Sequence, residues 1–541
     1  MFKLVVATAI STCVTANLVS AQVNTNKENT SLPSISTQNT IRQLTPKESV
    51  TVDGQKTEIQ HSDIRDQNLL QYSVTADQIP DQIQKGLNLS DDQQVEIPFA
   101  APNTVLLQFE TDVSDADVEA FLEERQLEVV RTFPKIGAIQ ATGDLSEYFQ
   151  PDLNDNSAND ALIRGMVTAI EDFQADPRIR SATPDLVLRD QSGDPPAEIQ
   201  ITNLLTPSDI VLSDPAASME TIDWGITDIQ ADQLWTLPGA NDGVLLGVMD
   251  VGFTRHEDLV FLGFLPETAV DDHGNHVAAI GCGQHGNGVG IKGVLPNCFV
   301  RARSGDVFFN SVEGGQVLNF MVLFSQILAT LETFVDTQDD VHTFNVSLGY
   351  NWRSNFGINP DLPESAQWRT LVASQGTFLV PLLELAQQNN RVIFSAAGND
   401  SFDLATPIEA KFASPFNWAA VTAREQGLAN NGVIVEAHDQ NGDRAAFSNT
   451  GGHISCPGVN IFSAVAHDPN GSISHNAYGT MSGTSMASPY CASGQLLFSL
   501  VRPGYSGIEA IDCMVQSSTN SSSGVPMLRL LDALNACPAR P

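Results

Sequence analysis

Two folded units are predicted by the sequence: a small α+β, ferredoxin-like unit over residues 103–189, and a larger α/β unit with a doubly wound, mainly parallel sheet over 221–541. Three observations predict them. The chain of 541 residues is too long for one ordinary domain. From Asn103 to Arg189, short alternating or apolar runs and helical stretches follow in the order β-α-β-β-α-β. Beyond about Glu220, near-continuous apolar runs alternate with helical stretches, as strands buried on both faces require.

In the first unit, Thr104–Phe109 reads as strand, Asp115–Glu124 as helix, Leu127–Thr132 and Ile136–Ala141 as strands, Ala161–Gln174 as helix and Ala182–Leu188 as strand. In the second, Gly243–Met249, Phe299–Ala302, His342–Val346, Val392–Ala396 and Trp418–Thr422 read as buried strands, with helices at Gln316–Phe334 and Phe378–Gln388. Residues 22–102 are rich in Gln, Asn, Thr, Ser and Asp, a composition that offsets ordering entropy poorly, and read as a flexible polar region. Residues 190–220, with Pro195-Pro196, read as an exposed linker.

The first 21 residues carry Lys3, an apolar stretch from Leu4 to Ile10 and small residues at Val19-Ser20-Ala21, the pattern of a cleaved export signal. Ser11, Thr12 and Asn17 interrupt the apolar run, which is too short to span a bilayer, so no membrane association is expected after signal cleavage. Cys13 offers lipid attachment as an alternative, which Thr12 and the short apolar stretch disfavour. The other six cysteines, Cys282, Cys298, Cys456, Cys491, Cys513 and Cys537, lie in the C-terminal half, and an oxidising compartment permits up to three disulfides among fifteen complete pairings. The reading favours Cys282–Cys298 and Cys513–Cys537, leaving Cys456 and Cys491 to pair or stay free. The net charge of −37 is spread over both halves, with 34 acidic and 14 basic residues up to position 220 and 30 and 13 beyond. Such a surface repels nucleic acid and anionic membranes.

Chemistry concentrates at the carboxyl ends of the apolar runs, where loops of a doubly wound sheet converge. Asp250 closes Leu245–Met249, Ser347 follows Phe344-Asn345-Val346, and Asn399 follows Ile393–Gly398. A single Asp at such a place is ordinarily a turn or cap residue. Here it has partners. His273 opens a helix of small residues in Asp272-His273-Gly274-Asn275-His276-Val277-Ala278-Ala279, and Ser485 opens another in Gly483-Thr484-Ser485-Met486-Ala487-Ser488-Pro489-Tyr490. A helix N-terminus offers unpaired N–H groups and partial positive charge to a nucleophile facing a developing oxyanion.

These segments resemble the three signature blocks of the subtilisin-like serine proteases, and the resemblance spans roughly Asp223 to Ala536. Chain order supports it, since Asp, His, Ser is the subtilisin order and differs from those of chymotrypsin and the α/β-hydrolases. Val251, Asn275 and Ala279 stand where the family usually has Ser or Thr, Thr, and Gly; the 23 residues from Asp250 to His273 imply a shortened loop. The resemblance implies Asp250, His273 and Ser485 as catalytic triad, Asn399 as oxyanion donor, and Ser347-Leu348-Gly349 as the edge that binds protein or peptide substrates as an added strand. It also implies that residues 103–189 are a prodomain inhibiting its own protease, and that residues 190–220 hold the maturation site of a secreted precursor. Tyr350–Gly376, with Trp352 and Trp368, is longer than the family core requires and reads either as a rim over the cleft or as a surface insertion.

Two other functions remain in view: a pseudoenzyme, hinted at by the three atypical residues, and an esterase, which lacks its G-x-S-x-G because Ala487 stands two residues after Ser485. No metal site is expected. His273 and His276 lack the H-E-x-x-H pattern, and Gly281–Gly290 lacks a phosphate-loop signature. The chemistry requires no cofactor; structural calcium, bound by many relatives, is left open but unplaced, because no D-x-D-x-D-G loop stands out.

Overall fold

A computed structural model describes residues 49–52, 55–58, 69–75, 90, 94–150, 157–190, 220–263, 272–303, 321–335, 340–468 and 472–540. The expected export signal and nearly all of the 190–220 linker lie outside the described residues.

The N-terminal sheet contains β1 (Leu70–Thr75), β2 (Gln94–Phe109), β3 (Glu128–Phe133), β4 (Ala138–Thr142) and β5 (Ile179–Asp190), with α1 (Asp115–Glu124) and α2 (Ala158–Gln174) between strands. Its central order is β5-β2-β4-β3, all antiparallel, with β1 added beside the first half of β2. Alternation along the strands builds two cores. Val105, Leu107, Ile139, Ala141 and Ala182 face α1 and the end of α2, whereas Leu106, Phe133, Ala138, Leu186 and Leu188 join the core of the larger unit. Ser114 and Ser157 start the two helices, each accepting a hydrogen bond from the backbone N–H three residues on.

The larger unit follows with β6 (Val244–Met249), α3 (His273–Cys282), β7 (Cys298–Arg303), β8 (Met321–Leu323), α4 (Phe324–Phe334), β9 (Thr343–Val346), β10 (Leu348–Gly349), α5 (Ala366–Gln388), β11 (Val392–Ala396), α6 (Pro415–Glu425), β12 (Gly432–His438) and β13 (Ile454–Pro457). A hairpin of β14 (Ile461–His467) and β15 (Ile473–Met481) leads into α7 (Thr484–Val501). Six strands form one parallel sheet in the order β13-β12-β11-β9-β6-β7. After β7, the chain crosses to the other side of β6, so β6 and β9 mark the point where the winding reverses.

The structure corrects five sequence expectations. Trp418–Thr422 belongs to helix α6, which Ser414 caps and Pro415 opens; the strand is Gly432–His438, buried throughout. A short apolar run does not distinguish a buried strand from one helix face. Met321–Leu323 is a strand rather than part of a helix, because it pairs with Val187–Arg189. Residues 70–75 and 94–102, expected to be flexible, are strands whose Tyr72, Val74, Phe99 and Ala100 are buried. Their few apolar residues suffice because the larger unit covers them. Trp352 and Trp368, placed in a rim or surface insertion, are buried, and the expected helix at Phe378 begins twelve residues earlier at Ala366.

The N-terminal sheet meets the larger unit through polar contacts as well as through its apolar face. Asp185, fully buried on β5, accepts from Ser325 N at 2.9 Å, Ser325 Oγ at 2.7 Å and Gln140 Nε2 at 2.9 Å. The carboxylate thus sits at the N-terminus of α4, where helix dipole and free N–H groups favour negative charge. Burial outweighs those bonds and the nearby Arg131, pushing the Asp185 carboxyl up from 3.8 to about 6. The docked form holds a proton that the undocked form releases, so this component of docking is fully present below about pH 4 and is lost as pH rises through about 6. Thermal melts of the intact chain therefore include an Asp185 component that declines from pH 4 to 7. Asp185→Asn is expected to flatten that decline; an unchanged slope in the variant would exclude Asp185 as its source.

Candidate active site

Asp250 follows β6 directly, and its backbone N–H donates to Arg303 O on β7 at 3.1 Å. Its Oδ1 lies 2.6 Å from His273 Nδ1 and accepts from Val251 N at 2.7 Å; both Asp250 and His273 are buried. The bond fixes Nδ1–H toward the carboxylate and turns Nε2 to the opposite side of the ring. Gly274 permits the close approach: its N–H donates to Val251 O at 2.6 Å, and a Cβ there would stand 2.3 Å from that oxygen. Position 251 thus acts through its backbone N–H and C=O, which explains how valine serves where the family usually has a hydroxyl residue. Asn275, the second departure, makes a two-way bond with Thr254: Asn275 Nδ2 donates to Thr254 Oγ1 at 2.7 Å, and Thr254 N donates to Asn275 Oδ1 at 3.1 Å. This clasp ties the loop carrying Asp250 to the helix carrying His273. Asp272 anchors the helix start from outside, with Oδ1 accepting from Ala466 N and His467 N on the hairpin at 2.7 and 2.8 Å.

Ser485 is the second residue of α7 and is fully buried in this state. Its carbonyl accepts from Ser347 Oγ at 3.4 Å, which brings the end of β9 against the helix start. Asn399 Oδ1 accepts from both Thr484 N and Thr484 Oγ1 at 2.9 Å, while Gly398 N donates to Thr484 Oγ1 at 3.1 Å. Two donors on one amide oxygen assign the flip and direct Nδ2 away from the helix backbone. Gly398 turns at φ +98°, and a Cβ there would lie 2.4 Å from Asn449 Nδ2. Asn449 braces this turn, its N–H donating to Gly398 O at 2.9 Å and its Oδ1 accepting from Asp400 N at 3.0 Å and Ser401 Oγ at 2.8 Å.

The structure thus gathers Asp250 and His273 in one hydrogen-bonded pair, and Ser347, Asn399 and Ser485 around the start of α7. Leu348 and Gly349 form an edge strand, which the end of β5 occupies. Sequence reasoning missed Thr254, Thr484 and Asn449. Thr484 could have been flagged by its place beside Ser485, but Thr254 and Asn449 are polar loop residues with no sequence signal.

The remaining candidates have structural explanations. His276 Nε2 lies 3.0 Å from Ile461 O, and burial lowers this histidine to about 3, so it stays neutral. The glycine-rich loop is held by Asp258, whose two oxygens accept from Asn287 Nδ2 and Ile291 N, both at 2.8 Å. Among the described residues no group of three His, Cys, Asp or Glu is placed to hold a metal. Three disulfides join Cys282 to Cys298, Cys456 to Cys491 and Cys513 to Cys537. The second ties β13 to α7, six residues beyond Ser485. No helix among the described residues is long and apolar enough to cross a membrane.

An Asp–His pair and a helix-start serine, in that chain order on a doubly wound parallel sheet, define the class of the subtilisin-like serine endopeptidases. Known proteins agree with that assignment. The Subtilase family profile matches residues 241–529. Alkaline elastase YaB of Bacillus sp. (strain YaB) is 27% identical over 317 residues, 56% of this chain and 66% of the elastase. Subtilisin BL of Lederbergia lenta is 26% identical over 313 residues, covering 94% of that protein. The fold is similar to fervidolysin from Fervidobacterium pennivorans, a keratinolytic enzyme related to subtilisin, with a TM-score of 0.50 at 17% identity over 82% of this chain and 62% of fervidolysin. The chain belongs to the subtilase family.

Asn275→Leu removes the clasp and leaves the buried Thr254 hydroxyl without its donor. The expected effect is a fall in kcat of up to about 10²-fold with KM nearly unchanged, since misplacing a reacting group penalises the transition state more than binding. Steady-state kinetics on a peptide substrate checks this; a change confined to KM contradicts it.

Proposed function

We propose that this subtilase is an exported endopeptidase, made as a precursor that cleaves and inhibits itself, with Asp250, His273 and Ser485 as its triad. Ser485 Oγ attacks the peptide carbonyl while His273 Nε2 takes its proton and later delivers it to the leaving amine. Asp250 holds the ring orientation and stabilises the imidazolium. The Ser485 N–H and Asn399 Nδ2 receive the oxyanion. The acyl-enzyme then yields to water by the same proton relay.

One observation carries the self-processing reading. The end of β5 lies antiparallel between two strands of the larger unit: Val187, Leu188 and Arg189 pair with Leu323, Val322 and Met321, while Arg189 and Asp190 pair with Gly349 and Leu348. This is backbone recognition by strand addition. As the β5 chain advances from Arg189 to Asp190, its partner steps back from Gly349 to Leu348, toward Ser347 and hence toward Ser485. Asp190 thus stands at the Ser347 end of β10, which supports reading the first peptide bonds after it as the substrate. The strand order β5-β2-β4-β3, with α1 and α2 packed on the sheet, supports reading residues 103–189 as a ferredoxin-like inhibitory prodomain. Buried Ser485 and His273 accord with a covered, silent precursor. Export rests on the first 21 residues and on the six cysteines paired as three disulfides.

The Ser485→Ala precursor should accumulate uncut when produced without other proteases, and mass spectrometry of the wild-type protein should place the new N-terminus within 191–220. Normal processing of the serine variant overturns the self-cleavage reading. In the mature enzyme, Ser485→Ala or His273→Ala should reduce casein turnover about 10⁶-fold and Asn399→Leu about 10²–10³-fold, magnitudes that belong to subtilisin, a relative.

A further inference from the structure

Phe356 and Trp368 form an aromatic surface on the protease, carried by helices that hold none of Asp250, His273, Asn399 and Ser485. Phe356 ends the short helix Trp352–Phe356 and Trp368 lies in the first turn of α5, both within the stretch longer than the family core requires. Their foundation belongs to the protease: Trp352 stacks on Tyr350 with ring centroids 4.4 Å apart, meets Trp368 edge-on at 5.2 Å, and donates from Nε1 to Phe412 O at 2.6 Å. The other side is filled from the N-terminal region. Tyr72 on β1 lies 5.5 Å from Phe356 and 5.1 Å from Trp368, both edge-on, and Phe99 on β2 lies 5.5 and 5.4 Å from the same two rings. Tyr72 is 9% exposed and Phe99 is fully buried.

The strand bearing Tyr72 is firmly attached to the inhibitory sheet. Tyr72 pairs with Ile97 and Val74 with Val95, while Ser73 makes a two-way backbone bond with Asn159 near the start of α2, Ser73 N to Oδ1 at 2.9 Å and Nδ2 to Ser73 O at 2.5 Å. Force on the aromatic contact is thus transmitted to the unit whose β5 occupies the cleft.

We propose that the Phe356–Trp368 surface is a second docking site, whose partner is the extended Tyr72- and Phe99-bearing segment of the chain's own N-terminal region. The segment preceding residue 103 is then part of the inhibitor, not a tether before it. It retains the cleaved N-terminal region on the protease after the chain beyond Asp190 has been cut, and activity appears only when this contact is lost. The inference rests on the self-processing reading given above.

The test uses the full precursor, wild type and Tyr72→Ala, with Tyr72→Phe as the ring-preserving control and Phe356→Ala as the reciprocal change. Three quantities are followed: cleavage by gel, retention of the cleaved N-terminal region with the protease by size exclusion, and onset of casein hydrolysis. Tyr72 sits on an added strand outside the four-stranded core, so its truncation leaves the sheet's own packing in place. Tyr72→Ala and Phe356→Ala are expected to be cleaved at the wild-type rate, to lose the N-terminal region on the order of tenfold faster or more, and to gain activity correspondingly sooner. Tyr72→Phe should behave as wild type. Normal cleavage with unchanged retention in Tyr72→Ala overturns the second docking site. If wild type itself is never cut, the self-processing reading fails instead. If Phe356→Ala does not fold, Tyr72→Ala decides alone, because its change lies outside the protease.

Discussion

Register across three parallel strands is the constraint on which this site depends. Val346 on β9 stands opposite Met249 on β6 and Ser395 on β11, so the three strands terminate at nearly the same level. Each strand end then delivers one polar residue to a common edge: Asp250 at once, Ser347 at once, and Asn399 after the Gly398 turn. Hydrogen bonds along a parallel ladder are fixed in both neighbours, so a shift of β9 by one residue would withdraw Ser347 from α7 and reverse the faces of Phe344 and Val346. Packing on both faces makes that shift costly.

What the sheet does not supply, two helix starts do. α3 and α7 bring His273 and Ser485 to this edge, and both approach closely because the contacts use small residues and backbone atoms. Thr484 is a hinge of polar satisfaction: its hydroxyl accepts from Gly398 while it and its N–H donate to Asn399. The Asn399 side chain is thereby held in one orientation, which is the condition for electrostatic preorganisation in the oxyanion role proposed for it. The Cys456–Cys491 bond restrains the same helix from its far side, limiting how far α7 can drift from the sheet.

The sequence carried much of this arrangement and lost the rest for identifiable reasons. Asp250, His273 and Ser485 were legible because their blocks combine residue type, chain order and the apolar run or small-residue helix that each adjoins. The β-α-β-β-α-β order was legible because each strand alternates and each helix has a Ser N-cap. Trp418–Thr422 was misread because a short run of four apolar residues and a threonine fits a helix face as well as a strand, although Ser414-Pro415 marks a helix start. Met321–Leu323 became a strand only because β5 is beside it, and such tertiary pairing leaves no local trace. Tyr72 and Phe99 stood among polar residues and looked too sparse to order a chain. Their partners, Phe356 and Trp368, lie more than 250 residues away. The Asn275–Thr254 clasp was equally invisible, since it first appears as a departure from a family pattern.

An inhibitor built from the enzyme's own substrate strand faces a physical difficulty. Before cleavage, the covalent link keeps the effective concentration of β5 at the cleft high; after cleavage, the same backbone bonds are available to any incoming peptide. A product that binds only through the substrate edge therefore competes on equal terms with substrate and leaves. Lasting inhibition has to draw on contacts that a substrate cannot make. The apolar face carrying Leu106, Phe133 and Leu186 is one, Asp185 at the N-terminus of α4 is another below about pH 6, and the Tyr72–Phe99 contact with Phe356 and Trp368 is a third. None of the three uses the backbone of Leu348 and Gly349, so on the proposed precursor reading strengthening them prolongs silence without altering that edge. On the precursor reading proposed above, the long Tyr350–Gly376 stretch then has a physical reason to exist: it extends the surface that would recognise the inhibitor while leaving the proposed substrate edge at Ser347–Gly349 unchanged.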